Sequence, residues 1–89
     1  MIALTKVMAI DYARDNIRVN ALIPGTTITP LTEDVLLNPA FRADREELMP
    51  IGRLGQPEDV VGLAIFLASD EARFCVGGLF MADGGMTAK

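Results

Sequence analysis

Apolar residues fall in blocks along the chain, separated by polar stretches that carry most of the glycine and proline. The first block runs from Met1 to Arg14 without a Gly or Pro and is rich in good helix formers, so it predicts a helix. Its apolar residues (Met1 to Leu4, Val7 to Ile10, Tyr12, Ala13) cover nearly the whole helix circumference rather than one stripe. Such a helix is usually buried on two sides. No Ser, Thr, Asp or Asn stands ahead of it as an N-cap, so it reads as a helix that begins in its middle. Arg14 suits a last turn, and Asn16 suits a left-handed C-cap.

The block from Ile17 to Ile23 is short, β-branched and almost continuously apolar after Arg18, as in a parallel strand covered on both faces. Pro24-Gly25 stops it, and Thr26 to Pro30 forms a polar turn. Leu31 to Pro50 is mixed in character and bracketed by prolines, which suits a lid or substrate loop. Two short helices are expected there, one after Thr32 and one with Asn38 as N-cap and Pro39 in first position. Gly52 to Gly55 is turn-rich. A second main helix starts at Gln56-Pro57, with Glu58 and Asp59 at the positive end of its dipole. Its body, Val60 to Ala68, is apolar on more than one face, and Ser69 to Ala72 ends it. Gly77-Gly78 leads into a second strand, Leu79 to Ala82, closed by the turn Asp83-Gly84-Gly85. Two strands joined through a helix imply a right-handed parallel crossover, hence α/β architecture.

Length changes this picture first. With 89 residues the chain holds at most one small domain, and a domain of that size buries only ~60–65% of its unfolded surface. Apolar residues are 51% of the sequence, so part of the chain is expected to bury itself against something else. The net charge is −4, there is no His, and Lys and Arg are not clustered, which argues against a nucleic-acid partner. No apolar run approaches the ~20 residues of a membrane helix, and the N-terminus lacks signal-peptide features. Cys75 is the only cysteine, read as a buried thiol in a cytoplasmic chain. No His or second Cys is present to give a metal-site spacing.

Candidate chemistry is sparse. A Ser-His-Asp set is impossible without His, and Ser69 at a helix end suits capping. Glu33, Asp34, Asp44, Glu46, Glu47, Glu58 and Asp59 lie in polar segments and read as solvated faces. Neither a G-x-G-x-x-G turn nor a Walker loop occurs. What remains is Pro24 to Pro30, at the C-terminal end of a parallel strand, the edge where open α/β sheets bind ligands. Gly25 lets a backbone pass close to a flat ring. Thr26, Thr27 and Thr29 supply hydroxyls, and the turn offers free N–H groups. The same residues are equally consistent with a polar turn before a loop.

Several stretches then occur in order: Ala3-Leu4-Thr5-Lys6, Ile17-Arg18-Val19-Asn20, Pro24-Gly25 with Thr29, Gly52-Arg53-Leu54-Gly55-Gln56-Pro57-Glu58-Asp59-Val60, Leu67-Ala68-Ser69-Asp70 and Asp83-Gly84-Gly85. Together they resemble the closing section of short-chain dehydrogenases/reductases, and the ordered set covers essentially the whole chain. The resemblance implies the C-terminal part of a Rossmann-like, doubly wound parallel sheet, here two strands, two main helices and a lid segment at about 31–50. It implies NAD or NADP as cofactor and a small alcohol or ketone as substrate. By resemblance, Pro24 and Gly25 shape the floor under the nicotinamide. Thr27 pairs its backbone with the carboxamide, and Thr29 bonds the carboxamide or pyrophosphate. An aliphatic residue is more usual in the family at position 27, a change that a main-chain contact tolerates. Val76-Gly77-Gly78 stands where Thr-Gly-Gln is common.

The family's glycine-rich dinucleotide turn and its active-site Asn, Ser, Tyr and Lys have no match in this sequence. Tyr12 is followed four residues later by Asn16 rather than Lys. No catalytic residue is therefore assigned, and the chain is expected to be inactive alone. Two classes of function follow: a portion of an NAD(P)-dependent oxidoreductase, or a non-catalytic assembly module. In the second, the all-round apolar helices join copies of the chain into a homo-oligomer or dock on a complete subunit of the parent enzyme.

Overall fold

The computed structural model describes residues 1–88. In chain order it contains α1 (Ile2–Tyr12), β1 (Ala21–Pro24), α2 (Pro39–Leu48), α3 (Glu58–Ala68) and β2 (Leu79–Ala82), with short 3-10 turns between them. β1 and β2 form one two-stranded parallel sheet. The chain divides into two compact units: Met1–Ile23 with Gly62–Phe80, and Pro24–Val61 with the chain from Met81 onward.

In the first unit, α1 ends as its sequence dictates. A 3-10 turn, Ala13–Asp15, leads to Asn16 at φ 61°, whose N–H donates to the Ala13 carbonyl. The burial of α1 differs from expectation, because only Thr5 and Ala9 are buried. These two small residues lie four apart on one face, which allows close approach: a Cβ at Gly77 would stand 3.4 Å from that of Ala9. The large side chains Ile2, Leu4, Val7 and Ile10 are exposed, and α3 has no buried residue.

The first strand is shorter than Ile17 to Ile23. It starts at Ala21 because β2 starts only at Leu79; ahead of both strands the Gly77 N–H donates to the Val19 carbonyl at 2.9 Å. The Ala21 N–H then donates to the Gly78 carbonyl at 2.9 Å. Arg18 faces another task. Its guanidinium donates to the Leu67 carbonyl (2.8 Å), in the last turn of α3, and to the Ser69 carbonyl (3.1 Å), which also accepts from the Ala72 N–H. The Asn20 amide donates to the Cys75 carbonyl and accepts from the Gly78 N–H, both at 2.9 Å, so it pins the chain that enters β2. The Ile17–Asn20 motif is thus accounted for by backbone satisfaction. Asn20→Ala is expected to destabilise by about 1–3 kcal/mol, since two backbone groups lose their partner; thermal unfolding would measure it. Ser69 donates its hydroxyl to the Phe66 carbonyl at the end of α3. Cys75, expected to be buried, is half-exposed, because it lies in the irregular stretch before β2 rather than in a core.

In the second unit, Asn38 caps α2 as expected: its side-chain oxygen accepts from the N–H groups of Ala40 and Phe41, and Pro39 occupies the first turn. The helix expected after Thr32 is a single 3-10 turn, Val35–Leu37. Leu36, Met49 and Leu54 form a small core, with Ile28, Phe41 and Met86 packed against it.

Two carboxylates organise the rest. Asp59 is exposed, as expected, and accepts two bonds from the Arg53 guanidinium (2.8 and 3.1 Å) and one from the Gln56 N–H (2.7 Å), so it ties the Gly52–Gly55 turn to the start of α3. Buried Asp83 accepts from the Gly85 N–H, the Thr87 N–H and the Thr87 hydroxyl. It thereby shapes a turn in which Gly84 (φ 64°) and Gly85 (φ 93°) both lie in the left-handed region. A 3-10 turn, Met86–Ala88, follows. The Arg53 hydrogen bond, then the Gln56 N–H, hold the Asp59 carboxyl down to about 2. The Thr87 hydroxyl chiefly holds the Asp83 carboxyl below its ordinary range. Both pKa values are depressed on folding, so both groups stabilise the fold above the unfolded carboxylate pKa of about 3.9. That contribution fades as pH falls from there toward about 2 for Asp59. An acid titration followed by circular dichroism is therefore expected to show unfolding across this window, with a shallower slope in Asp59→Asn and in Asp83→Asn.

Candidate cofactor-binding groove

The backbone that leaves β1 is fixed from two directions. The Gly25 N–H donates to the Ala82 carbonyl at 3.1 Å. A Cβ at Gly25 would meet the Asp83 Cα at 2.9 Å and the Asp83 carbonyl oxygen at 3.0 Å. The space that glycine provides is therefore used by the protein's own backbone, where the sequence suggested a flat ring. Next, the Gly55 N–H donates to the Thr26 carbonyl and the Ile28 N–H donates to the Gly55 carbonyl, each at 2.9 Å. These bonds place Thr27 opposite Gly55 in an isolated parallel bridge.

In such a bridge the flanking residues make the bonds, so the N–H and C=O of Thr27 face away from Gly55. The carbonyl accepts from the Thr32 hydroxyl at 2.8 Å and keeps a second lone pair. Among the described residues the Thr27 N–H has no intrachain partner. The Thr27 hydroxyl is spent on the Gly25 carbonyl at 3.0 Å. Thr29 and Thr32 form a closed turn with Pro30 as its second residue. The Thr29 N–H donates to the Thr32 hydroxyl at 3.0 Å, and the N–H groups of Thr32 and Glu33 donate to the Thr29 carbonyl. The single Thr32 hydroxyl proton is committed to Thr27, so Thr29 is the donor in the 3.3 Å contact between the two hydroxyls. Its oxygen accepts a long bond from the Thr32 N–H (3.4 Å) and keeps one lone pair free.

All four residues proposed from the sequence, Pro24, Gly25, Thr27 and Thr29, line one groove of about 390 Å³. Thr26, Thr32, Val35, Leu36, Phe41 and Arg45 complete its wall. The residues from the 31–50 segment supply its apolar side and its one charge. A second hollow of about 220 Å³ shares Gly25, Thr26 and Thr27 and contains the Arg53–Asp59 pair. The sequence reading missed Thr32, Phe41 and Arg45. For Thr32 a signal existed: a hydroxyl three residues after Thr29 and two after Pro30 is a side-chain-stabilised turn. For Arg45 the only signal was its place one helical turn after Phe41.

Comparison with known proteins gives consistent matches. The family model described as enoyl-(acyl carrier protein) reductase matches residues 1–87. The chain is 46% identical over 84 residues to 3beta-hydroxysteroid dehydrogenase 1 of Eggerthella lenta, covering 94% of this chain and 32% of that one. It superposes with a TM-score of 0.93 and 39% identity on a gluconate 5-dehydrogenase from Burkholderia cenocepacia in complex with NADP and tartrate, covering 99% of this chain and 34% of that one. A short chain dehydrogenase family protein from Francisella tularensis gives a TM-score of 0.87 at 36% identity, covering 99% of this chain and 40% of that one. The chain spans about a third of the length of the curated relatives it matches.

Proposed function

The chain belongs to the short-chain dehydrogenase/reductase family of oxidoreductases, and on that premise we propose that it supplies the nicotinamide-facing wall and the substrate lid of an NAD(P)-dependent enzyme acting on an alcohol or its carbonyl counterpart. The observation that carries this reading is the convergence of Pro24, Gly25, Thr27 and Thr29 on one groove, with an unspent N–H at Thr27. An N–H and a C=O that point the same way from one residue match the acceptor and donor of a primary carboxamide. The Thr29 hydroxyl adds a second polar contact for the same cofactor. The bound dinucleotide would supply the ring that gives or takes hydride. The chain's own part is to orient that ring from one side and, through Val35, Leu36 and Phe41, to exclude water from it.

Grafting residues 1–89 in place of the matching third of the Eggerthella lenta dehydrogenase tests this reading. In the graft, Thr29→Ala is expected to weaken cofactor binding by about 1 kcal/mol, the net worth of one neutral hydrogen bond. Thr27→Ala should change it little, because the Thr27 hydroxyl serves only the Gly25 carbonyl. Thr27→Pro should weaken it more, by deleting the N–H. Equal effects of the two alanine variants on cofactor affinity would count against the assignment. The ungrafted chain is expected to turn over neither NADH nor NADPH with a panel of ketones, since it brings no matched acid/base group; absorbance assays after repurification check this.

A second reading has its own support. The exposed apolar residues on α1 and α3 suit helices that pack against another copy of the chain or a complete subunit. The two readings are compatible, because one concerns the groove and the other the helices.

A further inference from the structure

The groove carries one charge. Of its lining residues, Pro24, Gly25, the four threonines, Val35, Leu36 and Phe41 are all uncharged, and only Arg45 is ionised. That is unusual for a chain of net charge −4 with 12 acidic residues against 8 basic ones. The contrast with nearby arginines is sharp. Arg42, three residues earlier on α2, pairs with Glu46 at 3.2 Å. Arg53 is held by Asp59 at 2.8 Å. Among the described residues Arg45 has no carboxylate partner and no hydrogen bond. Its guanidinium carbon instead lies 5.1 Å from the centre of the Phe41 ring, and its side chain is half-buried. Stacking on an aromatic face restrains the planar guanidinium while leaving its N–H donors unspent.

A restrained, unpaired guanidinium at the wall of a groove otherwise lined by hydroxyls and apolar groups is complementary to an anion. We propose that Arg45 holds an anionic group of the ligand in this groove, and that the group is a carboxylate of a hydroxy-acid or keto-acid substrate. This rests on the groove being the ligand site proposed above and extends it by naming the substrate class. The placement of Arg45 favours substrate over cofactor as the source. It sits on α2, in the lid segment, whereas the groups assigned to the cofactor, Thr27 and Thr29, lie in the turn that leaves β1. A pyrophosphate would satisfy the same guanidinium chemistry, so the test separates the two.

The probes are 2-hydroxybutyrate, its neutral analogue 2-hydroxybutyramide, inorganic pyrophosphate and nicotinamide. Each is titrated into the full chain and followed by NMR at the Arg45 side-chain N–H and the backbone amides of Thr27, Thr29 and Thr32. Arg45→Gln and Arg45→Lys are examined in parallel, with amide spectra to establish that each variant keeps the fold. The acid is expected to bind roughly tenfold more tightly than the amide, the effect of one charge-assisted hydrogen bond. The difference should vanish in Arg45→Gln and be partly retained in Arg45→Lys. Pyrophosphate that moves Arg45 while the acid does not would keep the anion site but reassign it to the cofactor. Equal binding of acid and amide with no response to pyrophosphate, or an acid preference unchanged in Arg45→Gln, would overturn the proposal. Nicotinamide distinguishes the failures: shifts at Thr27 without any anion effect would leave the cofactor wall standing and remove only the role of Arg45.

Discussion

At micromolar concentration the 89-residue chain is expected to self-associate, or else to unfold without a single sharp transition. The cause is apolar surface that its own elements leave open. Leu4 is 61% exposed, Ile10 77%, Ile65 64% and Phe74 99%, and they sit in a unit whose buried side chains include only the small residues Thr5, Ala9, Ala21 and Ala72. Each large apolar side chain left in water forfeits about 1.5–3 kcal/mol of burial. A few of them together rival the ~5–15 kcal/mol that separates folded from unfolded for a whole domain. Two strands rarely hold a fold alone, and their outer edges offer unpaired N–H and C=O groups. Sedimentation velocity combined with denaturant unfolding reads this directly. Replacing Ile10 and Ile65 with lysine should shift the distribution toward smaller species while leaving the second unit's amide spectrum in place. A strictly monomeric chain with one cooperative transition would show that the helices need no partner.

Gly25→Ala should destabilise the second unit by about 1–3 kcal/mol, the usual cost of forcing atoms into a packed site. The obstacle is backbone: the new methyl would stand 2.9, 3.0 and 3.1 Å from the Cα, O and C of Asp83. No side-chain rotation can relieve that contact, so the chain leaving β1 must move away from the chain leaving β2. The groove would deform with it, because Gly25 and the threonines that follow line it. Gly62→Ala is the matched control. Nothing lies within 4 Å of its Cβ position, and it sits inside α3, so this change should be neutral or stabilise by up to about 1 kcal/mol through helix propensity. Denaturant midpoints of the two variants should move in opposite directions. Equal shifts would mean that Gly25 and Asp83 are not in close contact.

Much of the local structure was legible in the sequence, for local reasons. Asn38-Pro39 announced the start of α2, and Asn16 the end of the first helix, because capping is decided by residues within a turn of each other. The strand Leu79–Ala82 was bounded by glycines before and after it and was read to the residue. The ordered motifs pointed to the family, and the comparisons agree. The four residues assigned to the cofactor also converge on one groove, since a turn of six residues can hardly scatter them.

What the tertiary structure decided were matters between residues far apart in sequence. The start of β1 depended on where its partner began, at Leu79, more than fifty positions away. The apolar pattern of α1 indicated that much of its surface wants burial. Only the packing revealed that Thr5 and Ala9 form the buried face, because close approach favours small residues over hydrophobic ones. Asp59 is surface charge, as its polar surroundings indicated, but its pairing with Arg53 across the Gly52–Gly55 turn is set by the fold. Gly25 was marked as a place of close approach, but the atoms that approach it belong to Asp83. Arg45 was one of several unremarkable arginines until folding paired Arg42 and Arg53 with carboxylates and left Arg45 stacked on Phe41, in the wall of the groove that the threonines also line. Sequence pattern records what each residue prefers within a few positions of itself. Which preferences are met, and which charge is left over, is set by packing between distant segments.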